Sequence, residues 1–307
     1  MACAARYASR MNRRDAIRLL SLAALACGAA AKKTTTMQTR PIPSSGEQLP
    51  IIGLGTWQTF NVAPESYAPL EEVLREFVSL GGKLIDSSPM YGRSEETVGD
   101  IADKAGVHEK LFLATKVWTS GKQSGIAQMA DSMRKLRTKR VDLMQVHNLV
   151  DAETHLATLR AWKKEGRIRY LGITHYTSGA YGQVEAMLRK VPVDFLQINY
   201  SVGEREAEKR LLPLAREKGI AVIGNRPFAE GALLRRLSMK PLPDFAKEID
   251  CTSWAQLLLK FVVSHPAITA VIPATSKVKH LRDNMAAGSG PMPHEALRQR
   301  IAASVTG

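Results

Sequence analysis

Four side chains of this 307-residue sequence can together move a proton near neutral pH: Asp86, Tyr91, Lys116 and His147. A phenol has an ordinary pKa of ~10, too high for a good acid at pH 7. An ammonium beside it favours the phenolate and lowers that value, and a buried carboxylate holds the ammonium in place. A tyrosine tuned in this way is a usable general acid. A histidine alongside can donate a hydrogen bond to a carbonyl oxygen that is gaining negative charge. Singly, each residue also has an ordinary role: Asp86 as a helix N-cap, Lys116 in an ion pair, His147 as a satisfied core histidine, Tyr91 as a packed loop aromatic. Only their common placement separates the two readings.

That placement depends on the elements around them. Asp86 ends a β-rich run at 83–86 and is followed by Ser87-Ser88-Pro89-Met90-Tyr91-Gly92. Lys116 ends the run 111–116, and His147 and Asn148 follow the run 141–146. Further runs at 51–55, 168–173, 195–198, 220–223 and 269–272 bring the count to eight. Between them, apolar residues recur at helical spacing over 67–80, 95–105, 126–136, 153–164, 182–188, 204–217, 253–263 and 277–287. Strands alternating with helices predict a parallel sheet with helical crossovers, and eight such units close into a (β/α)8 barrel of about 250 residues. A doubly wound open sheet is the alternative. It would be favoured by G-x-G-x-x-G after the first strand, but the sequence there is Gly53-Leu54-Gly55-Thr56-Trp57. Residues 36–50, with Pro41, Pro43 and Ser44-Ser45-Gly46, predict a short hairpin ahead of the barrel. In a barrel, function gathers at the C-terminal ends of the strands, where the three polar residues Asp86, Lys116 and His147 fall.

Composition narrows the classes further. With 45% hydrophobic and 23% charged residues the chain is an ordinary globular sequence. No apolar run reaches the ~18 residues of a membrane span. The formal charge of +14 invites a nucleic-acid reading, but residues 1–33 supply +6 of it through seven Arg and Lys against Asp15. No aromatic interleaving or binding motif supports nucleic acid as a partner. Cys3, Cys27 and Cys251 make no disulfide framework, and no Cys/His pair has zinc-ligand spacing, so no metal is expected.

Residues 1–33 are expected to be a targeting segment and residues 34–307 the barrel domain. Arg13-Arg14 precede thirteen nearly all apolar or small residues from Leu19 to Ala31, a length that suits a signal-peptide core rather than a span. The arrangement resembles the twin-arginine export signal, which implies the export machinery as a partner and a periplasmic destination. The alternative is an N-terminal extension or a start at Met11, with a cytoplasmic protein.

From Thr39 onward the chain resembles the aldo-keto reductases. The sequence Leu84-Ile85-Asp86-Ser87-Ser88-Pro89-Met90-Tyr91-Gly92-Arg93-Ser94-Glu95 resembles the family's first signature. Gly166-Arg167-Ile168-Arg169-Tyr170-Leu171-Gly172-Ile173-Thr174 resembles its fifth-strand segment, and Ile272-Pro273-Ala274-Thr275-Ser276-Lys277 with Asp283-Asn284 its phosphate and adenine segment. The resemblance implies Tyr91 as proton donor in reduction, Lys116 lowering its pKa, Asp86 anchoring Lys116, and His147 orienting the carbonyl of an aldehyde or ketone. It also implies a nicotinamide cofactor held by Thr56, Trp57, Asn148, Thr174, His175, Gln197, Arg226, Pro227, Phe228, Gly231, Thr275, Ser276, Lys277, His280, Asp283 and Asn284.

Three departures from the family pattern matter. His175 stands where relatives often have Asn, leaving an amide contact open. Asn225-Arg226 replaces an aromatic that often stacks on the nicotinamide, a role for which Tyr200 is the nearby alternative. Ala274 stands where many relatives place a Lys for the 2′-phosphate of NADP(H), although Lys277, His280 and Arg282 leave positive charge nearby, which favours NADP(H) over NAD(H). Trp57, Met90, Trp118 and Tyr176 either line an apolar substrate pocket or serve in core packing and lid support. The same barrel can also carry a cofactor-binding sensor or accessory protein with little catalysis. The complete set Asp86, Tyr91, Lys116 and His147 argues against that second reading.

Overall fold

The computed structural model describes residues 36–306. The targeting segment expected over 1–33 lies outside the described residues. The hairpin strands β1 (Thr39–Pro41) and β2 (Gln48–Pro50) pair antiparallel, as the sequence of that segment predicts. The chain then runs through β3 (Leu54–Gly55), α1 (Tyr67–Ser79), β4 (Leu84–Asp86), α2 (Ser94–Ala105), β5 (Phe112–Val117) and α3 (Lys122–Lys135). It continues with β6 (Val141–His147), α4 (Ala152–Lys164), β7 (Ile168–His175), α5 (Tyr181–Lys190), β8 (Phe195–Asn199), α6 (Leu211–Glu217) and β9 (Ala221–Asn225). Last come α7 (Ala232–Leu237), α8 (Trp254–Ser264), β10 (Ala270–Val271), α9 (Val278–Ala286) and α10 (Glu295–Thr306).

Strands β3 to β10 neighbour one another in chain order, and every pairing is parallel. Parallel bridges Ile52–Val271 and Gly55–Ala274 close the seam, with Gly53 N donating to Val271 O at 2.8 Å and Val271 N to Ile51 O at 2.9 Å. The seam explains Gly55: a Cβ there would lie 2.8 Å from the carbonyl oxygen of Ile272. The result is a closed (β/α)8 barrel, and the open-sheet alternative is set aside.

Side chains alternate across a strand, so every second residue points into the barrel. The inward positions form a core of Leu84, Phe112, Ala114, Leu143, Tyr170, Phe195, Ala221, Ile223, Ala270 and Ile272, with Ile42 and Leu49 from the hairpin segment closing it below. A second, larger apolar layer lies between the strands and the helices. Counting onward by twos from the inner core gives Asp86 on β4, Lys116 on β5, Gln145 and His147 on β6, Gln197 on β8 and Asn225 on β9. The interior thus changes from apolar to polar toward the C-terminal ends of the strands.

Three stretches depart from the helical spacing. The stretch 204–217 divides into a 3-10 turn at Glu206–Glu208 and α6, because Pro213, which has no N–H, fits only in a helix's first turn. The short helix α7 follows β9 without a matching signal. The tail after Pro291 contains helix α10, whose Leu297, Ile301, Ala302 and Val305 are buried. Among the described residues no helix is long and apolar enough to cross a membrane.

Candidate active site

Asp86 and Lys116 meet at the top of the inner core. Lys116 Nζ donates to Asp86 Oδ2 at 2.7 Å and to the Ser87 carbonyl at 2.7 Å, with both side chains buried. The other carboxylate oxygen, Oδ1, accepts from Gln197 Nε2 at 2.8 Å and from Gln145 Nε2 at 3.4 Å. A carboxylate held by this many donors cannot swing away. Burial pulls the Lys116 ammonium downward, but Asp86 and the Tyr91 phenol outweigh it, so its pKa stands above the ordinary lysine value. Lys116 is therefore a fixed positive charge.

Tyr91 sits on the turn after β4. Gly92 takes φ +61°, which lets the chain enter α2, and a Cβ at Gly92 would strike the side-chain amide of Asn61. The Lys116 ammonium lies 5.1 Å from the Tyr91 ring centroid. Burial raises the Tyr91 pKa, Lys116 opposes it, and Asp86 adds to it, so the net direction is upward. This departs from the downward shift expected from Lys116 alone. In the mostly apolar surroundings the phenol stays protonated, and Lys116 limits the cost of forming its phenolate.

His147 ends β6 with its ring edge-on to Tyr91, centroids 6.1 Å apart. Burial first, then the charge on Lys116 and the neighbouring His175, push its pKa down to about 3. The imidazole is neutral at physiological pH, suited to giving a hydrogen bond rather than a proton. Its Nδ1 lies 3.1 Å from Ser88 Oγ.

Tyr91 and His147 face a cleft of about 840 Å³ at the C-terminal mouth of the barrel. Asp86, Thr56, Trp57, Met90, Trp118, Asn148, Thr174, Tyr176, Gln197, Arg226, Pro227, Phe228, Gly231, Thr275, His280, Asp283 and Asn284 also line it. Trp57, Trp118 and Tyr176 are 41%, 42% and 48% exposed, so they are rim residues and not core packing. Trp57 leans on Tyr91 with ring centroids 4.8 Å apart. Thr56 Oγ1 donates to Asp86 O at 2.9 Å and Thr174 Oγ1 to Gln197 Oε1 at 3.2 Å, which ties the cofactor-side residues to the Asp86 cluster.

Four expectations are placed differently. His175 turns into its own loop, where Nδ1 accepts from Tyr176 N at 3.1 Å and Thr177 N at 3.3 Å. It therefore does not line the cleft. Ser276 and Lys277 are exposed beside the cleft, before α9, and Thr275 Oγ1 accepts from Lys277 N at 3.2 Å. Tyr200 is fully buried away from the cleft. Arg282 pairs with Glu76 at 2.7 Å, so of the three groups expected to leave positive charge there, Lys277 and His280 remain outside the ion pairs of the described residues.

The cleft fits a polar, amide-bearing ligand. Asn148 Oδ1, Asn225 Oδ1 and Arg226 Nε are buried without a hydrogen-bond partner, which is costly unless something fills the cleft. Two adjoining loops are strained. Asn148, Leu149 and Asp151 after β6, and Arg226, Ala229 and Glu230 after β9, all have φ between +45° and +57°. Such residues cluster at ligand clamps. Arg226 Nη1 donates to Tyr176 O at 3.3 Å, joining the β9 loop to the one after β7.

Residue-type reasoning missed Ser88, Gln145 and Glu95. Gln145 has a readable signal, since it lies two residues before His147 on the same face of β6. Glu95, at the start of α2, accepts from Thr115 beside Lys116 and from Ser132 Oγ at 3.1 Å, and so steadies β5 from outside.

Comparison with known proteins agrees with this geometry. Residues 51–300 match the Aldo/keto reductase family. Methylglyoxal reductase YeaE of Escherichia coli is 30% identical over 81% of this chain and 89% of its own length. An uncharacterised oxidoreductase of Schizosaccharomyces pombe is 34% identical over 77% and 78%. An aldo/keto reductase of Klebsiella pneumoniae in complex with NADP and acetate superposes with a TM-score of 0.72 at 23% identity, over 89% of this chain and 95% of that one, a likeness of fold. The match over 51–300 and the long relatives at 30% identity or more place this chain in the aldo/keto reductase family.

Proposed function

We propose that the protein is an NADP(H)-dependent oxidoreductase that reduces a small aldehyde or ketone to the alcohol. The observation that carries this reading is the buried Asp86–Lys116 pair set against Tyr91, with neutral His147 beside it on an open cleft. When bound, the cofactor supplies or accepts a hydride. Asn148, Thr174, Gln197 and Asn225 would hold its nicotinamide end, the loop after β9 its middle, and Thr275 with Lys277 and His280 its phosphate end. Helix N-termini favour anions, which suits the start of α9. The exposed Lys277, together with the NADP and NADPH complexes of structurally similar Klebsiella pneumoniae aldo-keto reductases, favours NADP(H) over NAD(H).

His147 donates to the substrate oxygen and fixes its orientation. Tyr91 gives that oxygen its phenolic proton as charge develops, and Lys116 stabilises the phenolate left behind. Asp86 keeps Lys116 in place. In the reverse direction the phenolate takes the proton back. The exposed Trp57, Trp118 and Tyr176 side chains, with the half-buried Met90, offer apolar surface over Tyr91, which suits carbonyls of the class named in the methylglyoxal reductase relative.

Tyr91→Phe tests the assignment. Reductase turnover should fall by about 10²–10⁴, the usual contribution of acid catalysis, while quenching of protein fluorescence by NADPH stays as in the wild type. Quenching with no turnover on any aldehyde in the wild type would instead support the sensor reading. We also propose export to the periplasm, resting on Arg13-Arg14 ahead of the apolar stretch. Arg13→Lys with Arg14→Lys should leave the protein in the cytoplasmic fraction. Continued export would exclude the twin-arginine route.

A further inference from the structure

Ser88 does not appear among the residues expected to do chemistry, yet its hydroxyl makes the one contact that decides how His147 presents itself. Ser88 is fully buried, three residues before Tyr91 in the turn after β4. Its Oγ lies 3.1 Å from His147 Nδ1 and accepts from Met90 N at 3.4 Å. No other hydrogen-bonding group among the described residues reaches Nδ1.

A neutral imidazole carries one proton, on Nδ1 or on Nε2, and the partner of one nitrogen sets the state of the other. If Nδ1 held the proton, the Ser88 oxygen would accept from both Met90 and His147. Its own buried O–H would then have no acceptor, a cost of the kind buried polar groups avoid. If Ser88 donates to Nδ1, every group is satisfied: Met90 N–H into Oγ, the Ser88 proton into Nδ1, and the remaining imidazole proton on Nε2. Nε2 is the nitrogen left for the cleft.

We infer that Ser88 is a positioning residue that locks His147 in the Nε2–H tautomer, so that the cleft meets a hydrogen-bond donor and never a bare lone pair. This rests on the proposed carbonyl reduction, in which the substrate oxygen is an acceptor. The other tautomer would set a nitrogen lone pair against that oxygen. The low His147 pKa, about 3, leaves the ring neutral through the working range, so tautomer and not charge decides its role.

The test uses the full chain labelled with ¹⁵N-histidine and long-range ¹H–¹⁵N correlation at pH 7, with the His147 signals assigned by their loss in His147→Asn. The wild type should show a protonated Nε2 and an acceptor Nδ1. Ser88→Ala should shift the ring toward a tautomer mixture and lower kcat by about tenfold, the scale of one hydrogen bond. NADPH affinity should stay unchanged. Ser88→Cys, nearly isosteric with a weaker donor, should fall between the two in both readouts. A pure Nε2–H ring in Ser88→Ala, an Nδ1–H ring in the wild type, or a tautomer change without loss of kcat would each overturn the inference. If the wild type reduces no carbonyl, the proposed function fails, and the spectrum still reports separately whether Ser88 sets the tautomer.

Discussion

At the cleft, buried Asp86, Lys116 and His147 form one group with the half-buried Tyr91. Between the barrel wall and helices α8 and α10, Glu208, Arg298, Tyr200 and His265 form another with the same kinds of side chain. In the second, Tyr200 donates its proton to Glu208 and accepts from Arg298 Nη2 at 2.8 Å. Arg298 lies over the Phe261 ring at 4.3 Å and donates to Ser264 Oγ at 2.8 Å, while His265 packs edge-on to Tyr200 at 5.7 Å. Burial raises both tyrosines, although their protons are disposed differently. The Tyr200 proton is committed to a carboxylate. The cleft group keeps its carboxylate turned to Lys116, Gln145 and Gln197, so no carboxylate captures the Tyr91 proton. A carboxylate, a cation, a phenol and an imidazole thus make a strut when the phenol's proton is committed to the carboxylate, and a candidate catalytic site when that proton is left facing open volume.

Removing the cation separates the two clusters most sharply. Breaking a buried ion pair by deleting one partner costs about 3–5 kcal/mol, so Lys116→Met and Arg298→Met should both lose stability on that scale in denaturant titrations. Turnover per folded molecule should part them: Lys116→Met should lose about 10²–10⁴, while Arg298→Met retains wild-type turnover. Equal turnover losses would show that Arg298 is coupled to the chemistry and that the division into strut and site is wrong.

The tyrosines give the second, smaller contrast. Tyr200→Phe leaves Glu208 and Arg298 each short of a partner, a loss of about 1–3 kcal/mol, with turnover unchanged. Tyr91→Phe should reverse the pattern, with turnover lost and the urea midpoint nearly unmoved. A large drop in turnover for Tyr200→Phe would contradict its placement outside the site.

Much of this is legible in the sequence, and the gaps have physical causes. Asp86, Lys116 and His147 fall on strand ends because the β-rich runs around them are apolar and short, and counting by twos from Leu84, Phe112 and Leu143 reaches them. The same count finds Gln145 and Gln197, whose amides complete the shell around Asp86. Ser88 is the next step of that count after Asp86, but it lies past the end of β4, on a turn where alternation no longer fixes a side chain's direction. The family resemblance implies His175 as a cofactor ligand, but its ring is captured by the backbone amides of Tyr176 and Thr177. Tyr200 and Arg282 had suitable chemistry and proximity in sequence; their buried or ionic partners come from α10 and α1, distant segments that spacing does not reveal. The upward shift of Tyr91 required knowing that burial outweighs Lys116.

The histidines provide the mildest and most selective contrast, through pH. An unfolded histidine titrates near ~6.5. In the folded protein burial pushes His147 down to about 3, and burial, with Arg298 next, pushes His265 down to about 4. Above pH ~6.5 both rings are neutral in both states and their contribution to stability is fully present. As pH falls below that value the unfolded chain takes up protons that the folded chain refuses, so stability declines until the folded values are reached. Each histidine can contribute a slope of up to about 1.4 kcal/mol per pH unit in that window. His265 Nδ1 accepts from Ala267 N at 3.2 Å, a local turn that an asparagine oxygen can reproduce. His265→Asn should therefore flatten the stability profile between pH 6 and 4 by about one proton and leave turnover alone. His147→Asn should flatten it similarly and also lose turnover. If His265→Asn leaves the acid slope unchanged, that ring is not held neutral by its cluster, and the likeness between strut and site extends only to residue types.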